Sequence, residues 1–150
     1  MQSDIFKEVA SQLLSTVKIR KNNDDSIDVD GELKVEFPFI YLPKIRILNG
    51  NFDCSFNKYI TSLIGSPLLV GGHFRCNDCV LLTTLIGSPL IVDVDFWCHN
   101  CPSLISLEGS PFLVGGNFKC YNCVSLKSLK GGPLRIKEQI YHSKNLDISK

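Results

Sequence analysis

Seven cysteines fall into a regular pattern, and three pairs of them have the Cys-x-x-Cys spacing that zinc ligands often use. The pairs are Cys76–Cys79, Cys98–Cys101 and Cys120–Cys123, and Cys54 stands alone. Eighteen residues separate successive pairs, which is close to the spacing of zinc-ribbon ligands. Structural zinc sites are usually closed by four ligands, however, and three pairs plus one cysteine do not divide into such sites. Three alternatives are open on this spacing: zinc ligands, disulfides, or free thiols in a core.

The cysteines lie inside a 22-residue repeat that occurs four times and fills residues 50–137. Its best-defined columns are phenylalanine (Phe52, Phe74, Phe96, Phe118), the first cysteine (Cys54, Cys76, Cys98, Cys120) and a position that holds Asn57, Cys79, Cys101 and Cys123. A fixed period of this length indicates a solenoid, whose units bury their apolar faces against one another. Because Asn57 replaces a cysteine, its position is not restricted to sulfur chemistry. We therefore predict core thiols that behave as small apolar groups, with no metal and no other cofactor.

The segments on either side of the repeats are expected to complete a single domain, 1–150. Residues 1–21 carry apolar side chains at helical spacing and predict an N-terminal capping helix, because a stack of repeats needs atypical ends. Residues 138–150 predict an imperfect last turn and a tail. In that turn Ile140 and His142 take the phenylalanine and cysteine positions.

Residues 22–49 predict a hairpin followed by an incomplete first turn of the solenoid. The hairpin is expected to reverse at Asp30-Gly31, a dipeptide that favours tight turns. Leu33 and Val35 are expected to take the phenylalanine and cysteine positions of the first turn. Within the repeats, the glycine pairs Gly71-Gly72 and Gly115-Gly116 predict turns with positive φ.

The run Phe118-x-Cys120-x-x-Cys123-x-x-Leu126-x-x-Leu129 resembles the leucine-rich-repeat signature. The segment SLEGSPFLVGGNFKC, residues 106–120, more specifically resembles repeats of short phage-encoded proteins, whose usual pattern is near LTSLEGSPKEVGGNFYCSNN. The resemblance covers residues 22–137. It implies a mainly β, right-handed leucine-rich-repeat-like solenoid with an N-terminal α-helix cap. It also implies that the Asn or Cys side chain bonds backbone groups where the chain leaves each strand.

Little in the sequence favours catalysis or nucleic-acid binding. The chain has three histidines, and His99 follows Cys98, but neighbouring residues of a strand point to opposite faces. Residues 50–137 contain seven Lys or Arg and five Asp or Glu, without the basic stripe of a nucleic-acid binder. We therefore predict that the protein is not an enzyme. The absence of a secretory signal or a long apolar run predicts a cytoplasmic protein, in the host cell if the protein is phage-encoded.

Two surfaces are candidates for binding a partner. The outward positions that flank the inward Phe and Cys columns collect residue types common in binding hot spots. The candidates there are Arg75, Trp97, His99, Lys119, Tyr121 and Tyr141. On the opposite, convex side, Leu69, Ile91 and Leu113 are expected to point outward as an apolar stripe. Either the N-terminal helix or residues 37–43 cover this stripe, or it forms a homodimer or partner interface.

The sequence thus predicts a non-enzymatic, protein-binding repeat scaffold. The resemblance to phage repeats implies a host protein as partner, with inhibition of a host defence effector or nuclease, in the manner of an anti-CRISPR protein, as one such role. Two alternatives remain open: a zinc-dependent nucleic-acid-binding module, and a structural or virion-associated phage protein.

Overall fold

The chain begins with one helix and continues as short strands that alternate between two sheets. The computed structural model of the protein describes residues 1–148. Helix α1 spans Gln2–Ser15. The strands are β1 (Lys18–Lys21), β2 (Ile27–Asp30), β3 (Leu33–Lys34), β4 (Ile45–Asn49), β5 (Phe52–Asp53), β6 (Leu69–Val70), β7 (Phe74–Arg75), β8 (Ile91–Val92), β9 (Phe96–Trp97), β10 (Leu113–Val114), β11 (Phe118–Lys119), β12 (Arg135–Ile136) and β13 (Ile140–Tyr141), with a 3-10 turn at Phe39–Tyr41.

The two sheets run the length of the molecule and together form a mainly β solenoid of about five turns. Sheet A has the order β1-β2-β4-β6-β8-β10-β12, and sheet B has the order β3-β5-β7-β9-β11-β13. Every neighbouring pair is parallel except β1 and β2. Each repeat therefore adds one strand to each sheet, and the predicted repeat solenoid is confirmed.

The inward columns of the repeat form one continuous core between the sheets. Phe52, Phe74, Phe96 and Phe118 are fully buried and lie in register in sheet B. Their rings stack with centroids 5.2, 5.0 and 5.3 Å apart. Burying one such side chain is worth about 1.5–3 kcal/mol, and identical residues on adjacent turns fix the register of the stack. Leu33 pairs with Phe52, and Val35 is also fully buried, so their predicted places in the first turn are confirmed.

The N-terminal segment departs from the expected boundaries. Helix α1 ends at Ser15 rather than near residue 21, because Lys18–Lys21 form strand β1. β1 pairs antiparallel with β2, so the hairpin reverses between residues 22 and 26. The prediction of a hairpin at Asp30-Gly31 was wrong. That dipeptide is the corner at which the chain passes from sheet A (β2) to sheet B (β3).

Helix α1 lies against the first turn through one apolar side. Ala10 is buried, and Phe6, Leu13, Leu14 and Val17 pack on the core. The Phe6 ring contacts Tyr41 and Tyr59, with centroids 5.4 and 5.1 Å apart. Within residues 1–148 no helix has the length and apolar character needed to span a membrane.

The repeat glycines serve a different purpose from the one the sequence suggested. Positive φ occurs at Gly65, Gly87, Gly109 and Gly131, and not at the Gly71-Gly72 or Gly115-Gly116 pairs. At Gly72 and Gly116, an added Cβ would collide with the Asn51 and Asp95 side chains of the preceding turn. These two glycines therefore allow close approach of adjacent turns, and the prediction of positive φ for them was wrong.

Candidate functional site

All seven cysteines are buried as free thiols, and those of the third column bond the backbone of the preceding turn. The Sγ–H of Cys79 donates to the carbonyl of Cys54 at 3.2 Å, Cys101 donates to Cys76 at 3.2 Å, and Cys123 donates to Cys98 at 3.1 Å. Asn57 takes the same place in the first repeat, and its Nδ2 donates to the carbonyls of Val35 and Phe37. The Asn and Cys side chains at this position thus have the same role, which is to hydrogen-bond the backbone of the preceding turn.

Burial makes the thiols of the first cysteine position poor nucleophiles. It raises the pKa of the Cys54, Cys76 and Cys98 thiols well above the ordinary value, and raises that of Cys120 to about 12. Cys98 is buried while the following His99 lies partly exposed on the other face of the strand. Among residues 1–148 no cluster of three or more His, Cys, Asp or Glu side chains has a geometry that could hold a metal ion.

The sequence-predicted binding residues come together on the outer face of sheet B. Arg75, Trp97, Lys119 and Tyr141 are direct neighbours across four strands. The Trp97 ring lies at the centre, with the Arg75 guanidinium 4.9 Å and the Lys119 ammonium 4.5 Å from its centroid. Lys119 also lies 5.8 Å from the Tyr141 centroid. These distances are within the range of cation–π attraction, which holds the cations over the ring.

A second row of rings adjoins the first. His99 stacks on Tyr121 with centroids 4.5 Å apart, and Trp97 lies 6.0 Å from His99. Burial lowers the pKa of His99, which favours the neutral form of the ring. We call the six residues Arg75, Trp97, His99, Lys119, Tyr121 and Tyr141 the aromatic–cationic patch. All six are at least partly exposed.

One outward column is structural, a role that the sequence reading missed. Asn51, Asp95 and Asn117 accept hydrogen bonds from the backbone N–H of the following turn, at His73, Asn117 and Gln139, over 2.8, 2.7 and 3.2 Å. The recurrence of short polar residues at a 22-residue spacing was the signal that could have revealed this ladder. It positions the patch by fixing the backbone immediately before each outward aromatic or cation.

Several buried polar atoms on this face have no hydrogen-bond partner within the described protein. They are His73 Nδ1, Arg75 Nε, Asn77 Oδ1 and His99 Nδ1. Asp95 Oδ2 lies 3.7 Å from His73 Nδ1, and Glu32 Oε1 lies 3.9 Å from Arg75 Nη1. Buried polar groups normally find partners, so these four atoms are exceptions to the otherwise complete bonding of this face.

The second predicted surface is only partly exposed at the residues named for it. Leu69, Ile91 and Leu113 are neighbours in sheet A and are half-buried. The preceding residues in each repeat, Leu68, Leu90 and Phe112, are about half exposed, at 51%, 50% and 47%. Helix α1 packs mainly against β1 and the 3-10 turn, and the exposure of Leu68, Leu90 and Phe112 shows that these three side chains are not covered. From here on, the apolar stripe means these three residues together with Leu69, Ile91 and Leu113.

We compared the chain with protein-family models, curated proteins and solved structures. No family model, no curated protein and no solved structure matches the chain.

Proposed function

We propose that the protein is a non-enzymatic, protein-binding repeat scaffold that holds an acidic surface of its partner on the aromatic–cationic patch. The observation that carries this proposal is the position of Trp97 between two cations, Arg75 and Lys119, on adjacent strands. Trp, Tyr and Arg are the residue types most enriched where a few side chains dominate the energy of a protein interface. Here they occupy one face of a rigid, hydrogen-bonded sheet.

The chemistry of the patch favours carboxylates at its rim and an apolar group at its centre. Trp97 can bury its ring against a partner, while Arg75 and Lys119 meet carboxylates around it. Glu32 lies 3.9 Å from Arg75 Nη1, beyond hydrogen-bond distance, so a partner carboxylate could make a direct bond to this guanidinium. Such a bond to a charged group is roughly twice as strong as a neutral one.

Charge and pKa argue against the alternative classes of function. The four repeats carry only two more basic than acidic residues, which supplies few phosphate contacts for a nucleic acid. Burial raises the pKa of the Cys98 thiol beside His99. The hydrogen bond from Cys101 lowers the pKa of Cys123, but the Cys123 side chain is buried and bonds the Cys98 carbonyl, so neither thiol is placed as a nucleophile beside a base.

We further propose that the solenoid is right-handed and of leucine-rich-repeat-like type. The third repeat column supports the leucine-rich-repeat-like type, because Asn57 and the cysteines bond the backbone of the preceding turn. The right-handed sense rests on the sequence resemblance alone. The likeness of residues 106–120 to phage repeats extends the proposal to a phage-encoded protein. It would act in the host cytoplasm on a host protein such as a defence effector or nuclease.

The test is affinity capture from host lysate with three matched baits, followed by mass spectrometry and calorimetry of the captured protein. The baits are the wild-type chain, Trp97→Ala, and the double variant Leu69→Glu with Leu113→Glu. The proposal expects one partner that the wild type and the double variant retain, and whose binding to Trp97→Ala is lost or weakened about 30-fold or more.

The same experiment separates the two surfaces. If the double variant stays folded and loses the partner while Trp97→Ala retains it, the apolar stripe is the binding surface and the patch is not. Oligomeric state measured on the same samples tests a homodimer through the stripe. If the wild type is a dimer and the double variant is a monomer, the apolar stripe is a self-association surface.

A further inference from the structure

The third side of the solenoid, on which the chain returns from sheet B to sheet A, has its own hydrogen bonds between turns. Two N–H groups bond across each of the first two junctions between repeats, and these bonds are Thr83 to Thr61 (3.0 Å) and Leu63 to Ile86 (2.8 Å), then Ile105 to Thr83 (3.1 Å) and Leu85 to Glu108 (3.2 Å). After the fourth repeat, the N–H of Leu129 donates to Asp147 and that of Asp147 donates to Lys127, both at 3.1 Å. The third side is therefore a ladder that holds successive turns together.

This ladder is interrupted between the third and fourth repeats. The first equivalent bond would join the Lys127 N–H to the Ile105 carbonyl. The second would join the Leu107 N–H to the Lys130 carbonyl, and neither bond forms within residues 1–148. Leu107 is fully buried, and a buried backbone N–H without a partner is rare. Bonded junctions lie on both sides of this one, so the interruption is internal to the stack of turns.

A groove of about 460 Å³ lies at the interrupted junction, a volume within the range of small-molecule sites. The corner beside it is wider than the corner of the preceding junction. A Cβ added to Gly109 would lie 2.5 Å from the Ile86 nitrogen. A Cβ added to Gly131 would lie 2.9 Å from the Glu108 nitrogen. We call this space the third-side groove, and its lining residues are Ile105, Ser106, Glu108, Ser128, Lys130 and Gly131.

The two walls of the third-side groove carry complementary groups. The third repeat supplies acceptors, which are the unpaired Ile105 carbonyl and the Glu108 carboxylate. The fourth repeat supplies donors, which are the unpaired Lys127 N–H and the Lys130 ammonium. Within residues 1–148 neither charged side chain has an ion pair or a hydrogen bond. Ile105 is 65% exposed, so its side chain adds an apolar surface between these groups.

This combination of charges indicates what kind of ligand fits. Glu108 would repel an anion such as phosphate, and Lys130 would repel a metal cation. A zwitterion, in contrast, places one charge against each wall. The hydroxyls of Ser106 and Ser128 accept the N–H groups of Glu108 and Lys130 at 3.0 and 3.3 Å. Each hydroxyl therefore keeps its own proton for donation to a ligand.

We propose that the third-side groove binds a free amino acid with an apolar side chain, in its zwitterionic form. The ammonium of the ligand donates to the Ile105 carbonyl and to Glu108. The carboxylate of the ligand accepts from the Lys127 N–H and from Lys130, and its apolar side chain covers Ile105. Hydrogen bonds to charged groups are about twice as strong as neutral ones, which suits a small ligand. Trp97 lies on the outer face of sheet B and not in this groove, and the inference does not rest on the proposed function.

The test titrates L-leucine into the full chain and follows the backbone amides by NMR. N-acetyl-L-leucine, which lacks the ammonium, and L-leucinamide, which lacks the carboxylate, are the matched control probes. We expect saturable shifts at Lys127 and Glu108 with leucine, and binding at least ~10-fold weaker for both controls, because each loses the bonds of one charged group. Glu108→Gln and Lys130→Gln should each weaken leucine binding at least ~10-fold. Lys137→Gln, at an exposed lysine outside the groove, should remain within ~2-fold of wild type.

Melting temperatures of the variants control for folding, and they should match that of the wild type because the two charged side chains make no bonds in the described chain. The absence of a saturable shift up to the solubility limit of leucine would overturn the proposal. Equal binding of N-acetyl-L-leucine and leucine would show that the groove does not recognise a zwitterion. Leucine binding that Trp97→Ala abolishes would place the ligand on the aromatic–cationic patch, and the assignment of the groove would be wrong.

Discussion

Replacing Asn57 by alanine is expected to destabilise the protein more than any substitution on its exposed surface. The Asn57 side chain is almost fully buried, and its Nδ2 donates to the carbonyls of Val35 and Phe37 at 3.1 and 3.0 Å. Its Oδ1 accepts from the N–H of Tyr59 at 2.9 Å. Alanine would leave three backbone groups without partners. At about 1–3 kcal/mol for each buried unsatisfied group, the loss is about 3–9 kcal/mol.

The variant Asn57→Cys tests how much of the stability that Asn57 provides comes from its hydrogen bonds. Cysteines of the third repeat column make one bond to the preceding turn, as Cys79 does with Cys54. Asn57→Cys should keep one of three bonds and cost about 2–6 kcal/mol, less than Asn57→Ala. Thr61→Ala, an exposed neighbour, should cost under about 0.5 kcal/mol. Urea unfolding followed by circular dichroism gives the free energies. Asn57→Ala within about 1 kcal/mol of wild type, or less stable Asn57→Cys, would refute the reasoning.

Further predictions concern the core, the thiols and an ion pair. Leu104→Ala should cost ~2–5 kcal/mol by cavity formation in urea unfolding, and Thr83→Ala far less; equal costs would mean that the inward columns are misassigned. Native protein should contain no stoichiometric zinc and keep its melting temperature in chelator, and its thiols should react with Ellman's reagent only after unfolding; about one zinc per chain would contradict this. Stability should fall as pH rises from 9 towards 12, since the Cys120 thiol has a pKa of about 12 in the fold and an ordinary value when unfolded. The Arg46 hydrogen bond lowers the pKa of Asp28 to about 2, so stability should also fall as the pH drops from about 4 towards 2, and less so in Asp28→Asn.

The inward half of the repeat could be predicted from sequence because its pattern has a single physical cause. Phe96, Cys98, Leu104 and Leu107 must each face an identical or similar column on the next turn, and all four are fully buried. Because identical turns stack on one another, residues 22 positions apart in the sequence are neighbours in the structure. The solenoid, the core thiols and the shared face of Arg75, Trp97 and Lys119 all follow from it.

The non-repeating ends could not be predicted in the same way. The strand Lys18–Lys21 has exposed side chains throughout, so its sequence carries no alternation, and only its pairing with β2 makes it a strand. Asp30-Gly31 has the composition of a hairpin turn, yet it forms a corner between sheets because both flanking strands find partners in later turns. Tertiary pairing decides both cases, and local propensity does not.

The outward residues were placed correctly on a face, but their individual roles depend on neighbours. Asn51 and Asp95 read as surface positions, yet each accepts a backbone N–H from the next turn. Leu69 was expected to point outward and is half-buried, whereas Leu68 beside it is the more exposed. In strands of only two residues, the corners on either side set the side-chain directions as much as the strand alternation does.

The most direct test of the central proposal is the affinity of the captured partner for Trp97→Ala, measured by calorimetry beside the wild type and beside Leu69→Glu with Leu113→Glu. Trp97 packs under both cations of the patch, so its loss should weaken binding by ~2 kcal/mol or more, about 30-fold in Kd, with an unchanged melting temperature. Wild-type affinity in folded Trp97→Ala would contradict the assignment of the aromatic–cationic patch as the binding surface.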